Sequence, residues 1–319
     1  MRALTASAPI VLAVLLARVA RAGAHAVLDH ADLSLKTLLT SWHLRPDVVL
    51  VIVTLASMYV SGWWRVREAG YGRLAPRWRL SLYLCGLAAV AVALLSPIDG
   101  FADLLFSAHM VQHLLLTMVA APLLLLGNPL PVSLWGLPRR VRRAVGRLLI
   151  RRAPFRRALW LVTLMPVAWL LFVGTLWLWH LPAAYQAALR RPVIHNAQHL
   201  AFFGTALLFW WPIIEPAPRL HERIPRGFAI LYLIAATGQN TLLGALIALP
   251  ERVLYPDYEA SAPLFGLTAL DDQALAGGIM WSMGHMYLIP ILLIVAKMLD
   301  REERVTRQRQ TVRENPADR

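Results

Sequence analysis

The sequence predicts an all-α integral membrane protein, a bundle of seven transmembrane helices preceded by an N-terminal signal peptide or an additional span. Three observations carry this prediction. Of 319 residues, 58% are hydrophobic and the mean hydropathy is +0.55, too apolar for an ordinary soluble domain. Seven apolar runs are long enough to cross about 30 Å of hydrocarbon. The basic residues fall almost entirely in alternate loops, as they do in a chain that threads a membrane repeatedly.

In chain order, Arg2 precedes a short apolar stretch from Pro9 to Ala17 and then Ala22-Gly23-Ala24, the order of a secretory signal with a small-residue cleavage site. Arg18 and Arg21 beside that site fit an uncleaved anchor instead, so residues 1–24 are read as one or the other. Residues 25–45 form an extracytoplasmic segment. The membrane domain occupies 46–298, with apolar runs near 46–64, 80–96, 109–127, 159–180, 197–214, 227–248 and 276–298. Residues 299–319 form a basic tail.

Orientation follows from charge. Loops 65–79, 128–158 and 215–226 and the tail from Lys297 carry 24 Lys and Arg, and the segments on the other side carry five. The positive-inside rule makes the first group cytoplasmic, with the N-terminal region outside. The net charge of +14 is thus a topology signal, with attraction to anionic lipid, and no zinc-finger spacing or stacking motif points to nucleic acid. Within 128–158, Val141, Val145, Leu148 and Leu149 share one helical face while Arg140, Arg143, Arg147 and Arg151 point elsewhere, which predicts a basic amphipathic helix on the inner leaflet.

Nine of the ten histidines fall at or near one end of the spans. His109 with His113, and His195 with His199, are spaced i, i+4, so each pair can direct two imidazoles at one target. With His180 and His43 they are expected at one level, the outer interface; His285 lies deeper in the last span. Ionisable residues within a membrane span are costly and mark functional sites. The six metal-ligand candidates are therefore His109, His113, His195, His199, His180 and His285. Met280, Met283 and Met286 repeat beside His285; the stripe reads as flexible packing, with Cu(I) binding as the functional alternative. Cys85 is the sole cysteine, which excludes an internal disulfide and a Cys-x-x-Cys motif. No nucleophile and base stand in a recognisable catalytic arrangement, and the chain is not expected to be an enzyme.

The run His109-Met110-Val111-Gln112-His113-Leu114-Leu115-Leu116, with Ala121-Pro122-Leu123-Leu124 and Leu126-Gly127-Asn128-Pro129, resembles the signature of the polytopic CtaG family of cytochrome c oxidase assembly factors. So do Trp179-His180-Leu181-Pro182 with Tyr185, His195-Asn196-Ala197-Gln198-His199 leading to Phe209-Trp210-Trp211-Pro212, and Asp272-Gln273 with Gly277-Gly278 and Trp281. The resemblance covers roughly residues 40 to 298. It implies a multi-pass protein of the bacterial inner membrane that assists assembly of a haem–copper oxidase by helping copper reach its metal centre. The implied partners are oxidase subunits and a periplasmic copper chaperone. The family's usual acidic residue before the second histidine of the fifth span is Gln198 here, so that position does not supply ligand charge. The His285-Met286 segment has no counterpart in the family pattern.

Three other classes compete with a copper-handling assembly factor. A haem-binding electron carrier would use one histidine from each of two helices as axial ligands. A di-iron oxygenase also uses His-x-x-x-His, but with further histidine boxes on the cytoplasmic side, where this chain has only His221. A copper transporter would use a path of Met and His toward the midplane.

Overall fold

The computed structural model describes residues 42 and 44–300, except 151 and 223. The expected signal or anchor, His43, Arg151 and the tail beyond residue 300 lie outside the described residues. Helix α1 (Pro46–Glu68) has proline in its first turn with Asp47, and Arg65 and Arg67 in its last, the charge order that complements the helix dipole. After α2 (Arg77–Leu95), the Ser96 hydroxyl accepts the Ile98 N–H and starts the short α3 (Pro97–Ala102).

The third span, Phe106–Leu126, is one continuous rod in three parts. Helix α4 (Phe106–Leu114) passes into a π-helical turn, Leu115–Ala120, and then into α5 (Ala121–Leu126). Pro122 has no N–H to give a regular ladder, and the widened turn precedes it. Asn128, in a left-handed conformation, ends the rod, and its side-chain oxygen accepts the Ala217 N–H at 2.7 Å. Helix α6 (Pro129–Gly136) turns back against α1, where Arg65 donates to the Trp135 and Gly136 carbonyls. Helix α7 (Arg139–Leu148) follows as the basic amphipathic helix, with Val145 part-buried and Arg140, Arg143 and Arg147 exposed.

The expected continuous span 159–180 is instead broken. Helices α8 (Pro154–Val162) and α9 (Met165–His180) meet at 68°. Pro166 explains the break, because its ring would meet the Val162 carbonyl and it offers no N–H to that carbonyl. Helix α10 (Pro182–Arg190) then turns the chain into α11 (Pro192–Ile214), and α12 (Arg226–Ala248) returns across the bundle. Two 3-10 turns, Pro256–Tyr258 and Ala262–Phe265, lead to α13 (Ala269–Met286), which after Tyr287 continues to residue 300.

This last helix starts earlier than the apolar run from 276 suggests. Thr268 and Asp271 form a capping box that begins it, drawing Asp271 and Asp272 out of the expected loop and into the helix. Close packing seats it: a Cβ on Gly277 would lie 2.6 Å from the Gly244 carbonyl oxygen, so only glycine permits α12 and α13 to approach this far.

Among the described residues, six helices are long and apolar enough to cross a membrane, and the bent α8–α9 pair passes the same test as a broken span or a re-entrant loop. Aromatic and Met residues fill the interior: Phe106, Met110, Phe172, Phe202, Phe209, Met280 and Met283. Large apolar side chains also face outward, with Leu200 72% and Leu292 66% exposed. In water that arrangement would be costly, and in hydrocarbon it is the expected lipid-facing surface.

Candidate metal centre

Five histidines meet at one end of the bundle, all buried: His109 and His113 on α4, His195 and His199 in the first two turns of α11, and His180 as the last residue of α9. His109 Nε2 and His113 Nε2 are 3.0 Å apart. The ring of His199 is centred 5.4 Å from His113 and 5.9 Å from His109, and His195 lies 5.2 Å from His109. One ligand atom each from His109, His113 and His199 lie within 4.8 Å of one another. His180 borders this group, its ring 6.4 Å from that of His113.

The surrounding hydrogen bonds select tautomers. Tyr258 has one hydroxyl proton and three polar neighbours. The Ala102 carbonyl, 3.2 Å away, can only accept, so the proton goes there. The Tyr258 oxygen then accepts from the Tyr185 hydroxyl at 3.0 Å and from His109 Nδ1 at 3.2 Å. His109 is thereby assigned a proton on Nδ1 and a lone pair on Nε2, turned toward His113. His180 Nδ1 donates to the Leu176 carbonyl at 2.6 Å, which leaves its Nε2 with a lone pair as well. A protein group that occupies one imidazole nitrogen and orients the other is the usual support of a metal-binding histidine.

The residues fit a metal ion on three further counts. His199 Nε2 is buried with no hydrogen-bond partner among the described residues, and such an orphan is unusual without a ligand. A cation held by His109 and His113 at about 2.0 Å from each Nε2 would subtend roughly 100°, a normal coordination angle. The donors are neutral imidazoles, which suit copper, zinc, iron or nickel more than calcium or magnesium. Gln198 is fully buried beside His199, and both its side-chain polar atoms lack a hydrogen-bond partner among the described residues.

Neighbouring residues hold the histidines in position. Asp272 is fully buried and caps α4 from another helix: its carboxylate accepts the Phe106 N–H at 2.6 Å, the Ser107 N–H at 3.1 Å and the Ser107 hydroxyl at 2.5 Å. Charge at a helix N-terminus and three accepted bonds fix the start of the helix that carries His109 and His113. Tyr255 donates to the His180 carbonyl at 2.7 Å, and Phe202 packs 4.4 Å from the His113 ring. Burial holds the phenols of Tyr185, Tyr255 and Tyr258 protonated well above their ordinary range, so they serve as hydrogen-bonding groups.

His285 is not part of the cluster. It is exposed on the outer face of α13, while Met280 and Met283 turn inward and pack in the core. Sequence reasoning gave no role to Met110, whose sulfur lies 3.5 Å from His180 Nε2, nor to Tyr258 or the capping by Asp272. Met110 was visible as a soft donor next to His109 in the chain. Tyr258 sits in an irregular connection, where no periodicity marks it.

An uncharacterised protein of Mycobacterium leprae is 27% identical over 274 residues, covering 82% of this chain and 39% of the relative. Uncharacterised proteins of Mycobacterium bovis and Mycobacterium tuberculosis are each 27% identical over 280 residues, covering 83% of this chain and 40% of theirs. The chain thus spans about two fifths of the length of the curated relatives it matches. No solved structure matches it. The profile of the cytochrome c oxidase caa3 assembly factors matches residues 57–301, a stretch that includes all five converging histidines, Met110, Tyr258 and Asp272. The chain belongs to that family, the cytochrome c oxidase caa3 assembly factors.

Proposed function

We propose that this protein assists assembly of a haem–copper cytochrome c oxidase by taking up copper at the histidine cluster and helping it reach the oxidase. The observation that carries the copper step is the convergence of His109, His113 and His199, from two spans, on one buried point. Family membership supports the oxidase as client; within this reading its subunits are the partners and a periplasmic copper chaperone is the donor. The role is delivery and not catalysis. Three imidazoles, with Gln198 in place of a carboxylate beside them, leave the charge of a bound ion uncompensated in a buried site. That favours release to a better acceptor over permanent retention.

Counting the bent α8–α9 pair as the fourth span gives seven spans. The distribution of basic residues then supports an extracytoplasmic position for the cluster at a bacterial inner membrane, with the tail in the cytoplasm. Two observations weigh against the competing readings. His109 and His113 approach to 3.0 Å, and Phe202 packs 4.4 Å from His113, so a bare ion fits these contacts better than a macrocycle between two axial ligands. Met280 and Met283 pack among core aromatics while His285 faces outward, so they do not align with it as a path through the bundle.

Single Ala replacements of His109, His113, His195 and His199 are expected to lower the copper content of the oxidase while the protein stays inserted in the membrane. Normal oxidase copper in all four variants would overturn the proposal. In the purified protein, stoichiometric copper without a Soret band supports it, and a Soret band favours the haem carrier.

A further inference from the structure

Met110 follows His109 on α4, so their side chains diverge by about 100° around the helix. Where His109 faces the other histidines of α4 and α11, Met110 faces the end of α9. Its sulfur lies 3.5 Å from His180 Nε2, and the two residues are 1% and 5% exposed. The Leu176 carbonyl holds the His180 proton on Nδ1, so a lone pair and not an N–H meets the thioether. Two acceptors facing each other in a buried place gain nothing from hydrogen bonding. A shared cation gives them a reason to meet.

The distance is informative. With bonds of about 2.0 Å to nitrogen and about 2.3 Å to sulfur, a separation of 3.5 Å corresponds to a nitrogen–metal–sulfur angle of about 110°. That is the angle of a three- or four-coordinate ion, and it leaves room for another donor. The His113 ring, centred 6.4 Å from that of His180, is the neighbouring histidine toward the trio. A thioether with an imidazole selects Cu(I), whereas imidazoles alone hold either oxidation state of copper.

We propose that His180 and Met110 form a second, softer Cu(I) position beside the His109, His113 and His199 trio, so that copper occupies two adjacent donor sets at this end of the bundle. The assignment rests on the reading of the histidine cluster as a copper site.

The test uses the full-length protein purified in detergent and loaded anaerobically with Cu(I), or in air with Cu(II). Copper is counted by mass spectrometry and its neighbours are identified by X-ray absorption. The Cu(I) form is expected to show a sulfur neighbour at about 2.3 Å. Met110→Leu, a nearly volume-conserving change, is expected to remove that neighbour and weaken Cu(I) binding at least roughly tenfold, with Cu(II) binding unchanged. His180→Gln is expected to do the same. Only nitrogen or oxygen neighbours in the unaltered protein, a sulfur neighbour that survives Met110→Leu, or equal loss of Cu(II) in both variants would overturn the second position while leaving the trio. Absence of bound copper in either oxidation state would overturn both.

Discussion

At the scale of single residues, the histidine cluster depends on groups outside the set that would hold an ion. Tyr258 spends its one proton on the Ala102 carbonyl and so accepts from His109 Nδ1. Tyr258→Phe keeps the ring that packs 5.7 Å from Phe106 but removes the acceptor that orients His109. Copper affinity, measured by competition with a chelator, is expected to fall roughly 10- to 100-fold, the usual effect of losing such a support. Unchanged affinity would mean that the phenol does not set the His109 tautomer. The i, i+4 histidine pairs were legible in the sequence, because helical periodicity alone puts His109 with His113 and His195 with His199 on common faces. Tyr258 and Met110 were not. A tyrosine in an irregular connection carries no periodic signal, and a lone methionine in an apolar span is indistinguishable from packing until its neighbour across the bundle is known.

At the scale of elements, the third span is held at its start by a residue from the last. The Asp272 carboxylate accepts two backbone N–H groups and one hydroxyl at the N-terminus of α4. Asp272→Asn removes the charge and leaves an amide group where only acceptors are needed. The expected destabilisation is about 1.5–3 kcal/mol, read from unfolding of the detergent-solubilised protein, together with weaker copper binding as α4 loosens. Full stability in that variant would show that the cap does not anchor the helix. Span positions were legible because length and apolarity are enough to mark a membrane helix, and six of the seven expected runs coincide with single helical rods. The break before Pro166 and the start of α13 at Ala269 were not. Both are set by local backbone chemistry, a missing N–H in one case and the Thr268–Asp271 capping box in the other, which an average over twenty residues smooths away.

At the scale of the whole molecule, copper transfer requires the cluster to open toward the compartment that holds donor and client, so orientation decides whether the proposed function is physically accessible. The histidines lie at the same end as the connection containing Tyr255 and Tyr258, as the contacts of Tyr258 with His109 and Ala102 show. That connection, residues 249–268, carries a single basic residue, Arg252, whereas 128–158 carries nine and the tail from Lys297 seven. Moving basic loops outward against the membrane potential and the anionic inner leaflet is unfavourable for each charge, so the imbalance acts on the whole chain and not on one loop. A compartment reporter inserted at the exposed Glu259–Ala260 position and another fused after Arg301 are therefore expected to give opposite readings, outside for the first and cytoplasmic for the second. Inserting within the exposed turn leaves Asp272 and the capping box intact, so a failed insertion can be recognised by loss of membrane protein. Identical readings at the two positions would require an even number of crossings between them. The helix from Ala269 to Asp300 would then not span the membrane, and an extracytoplasmic copper site would have to be given up with it.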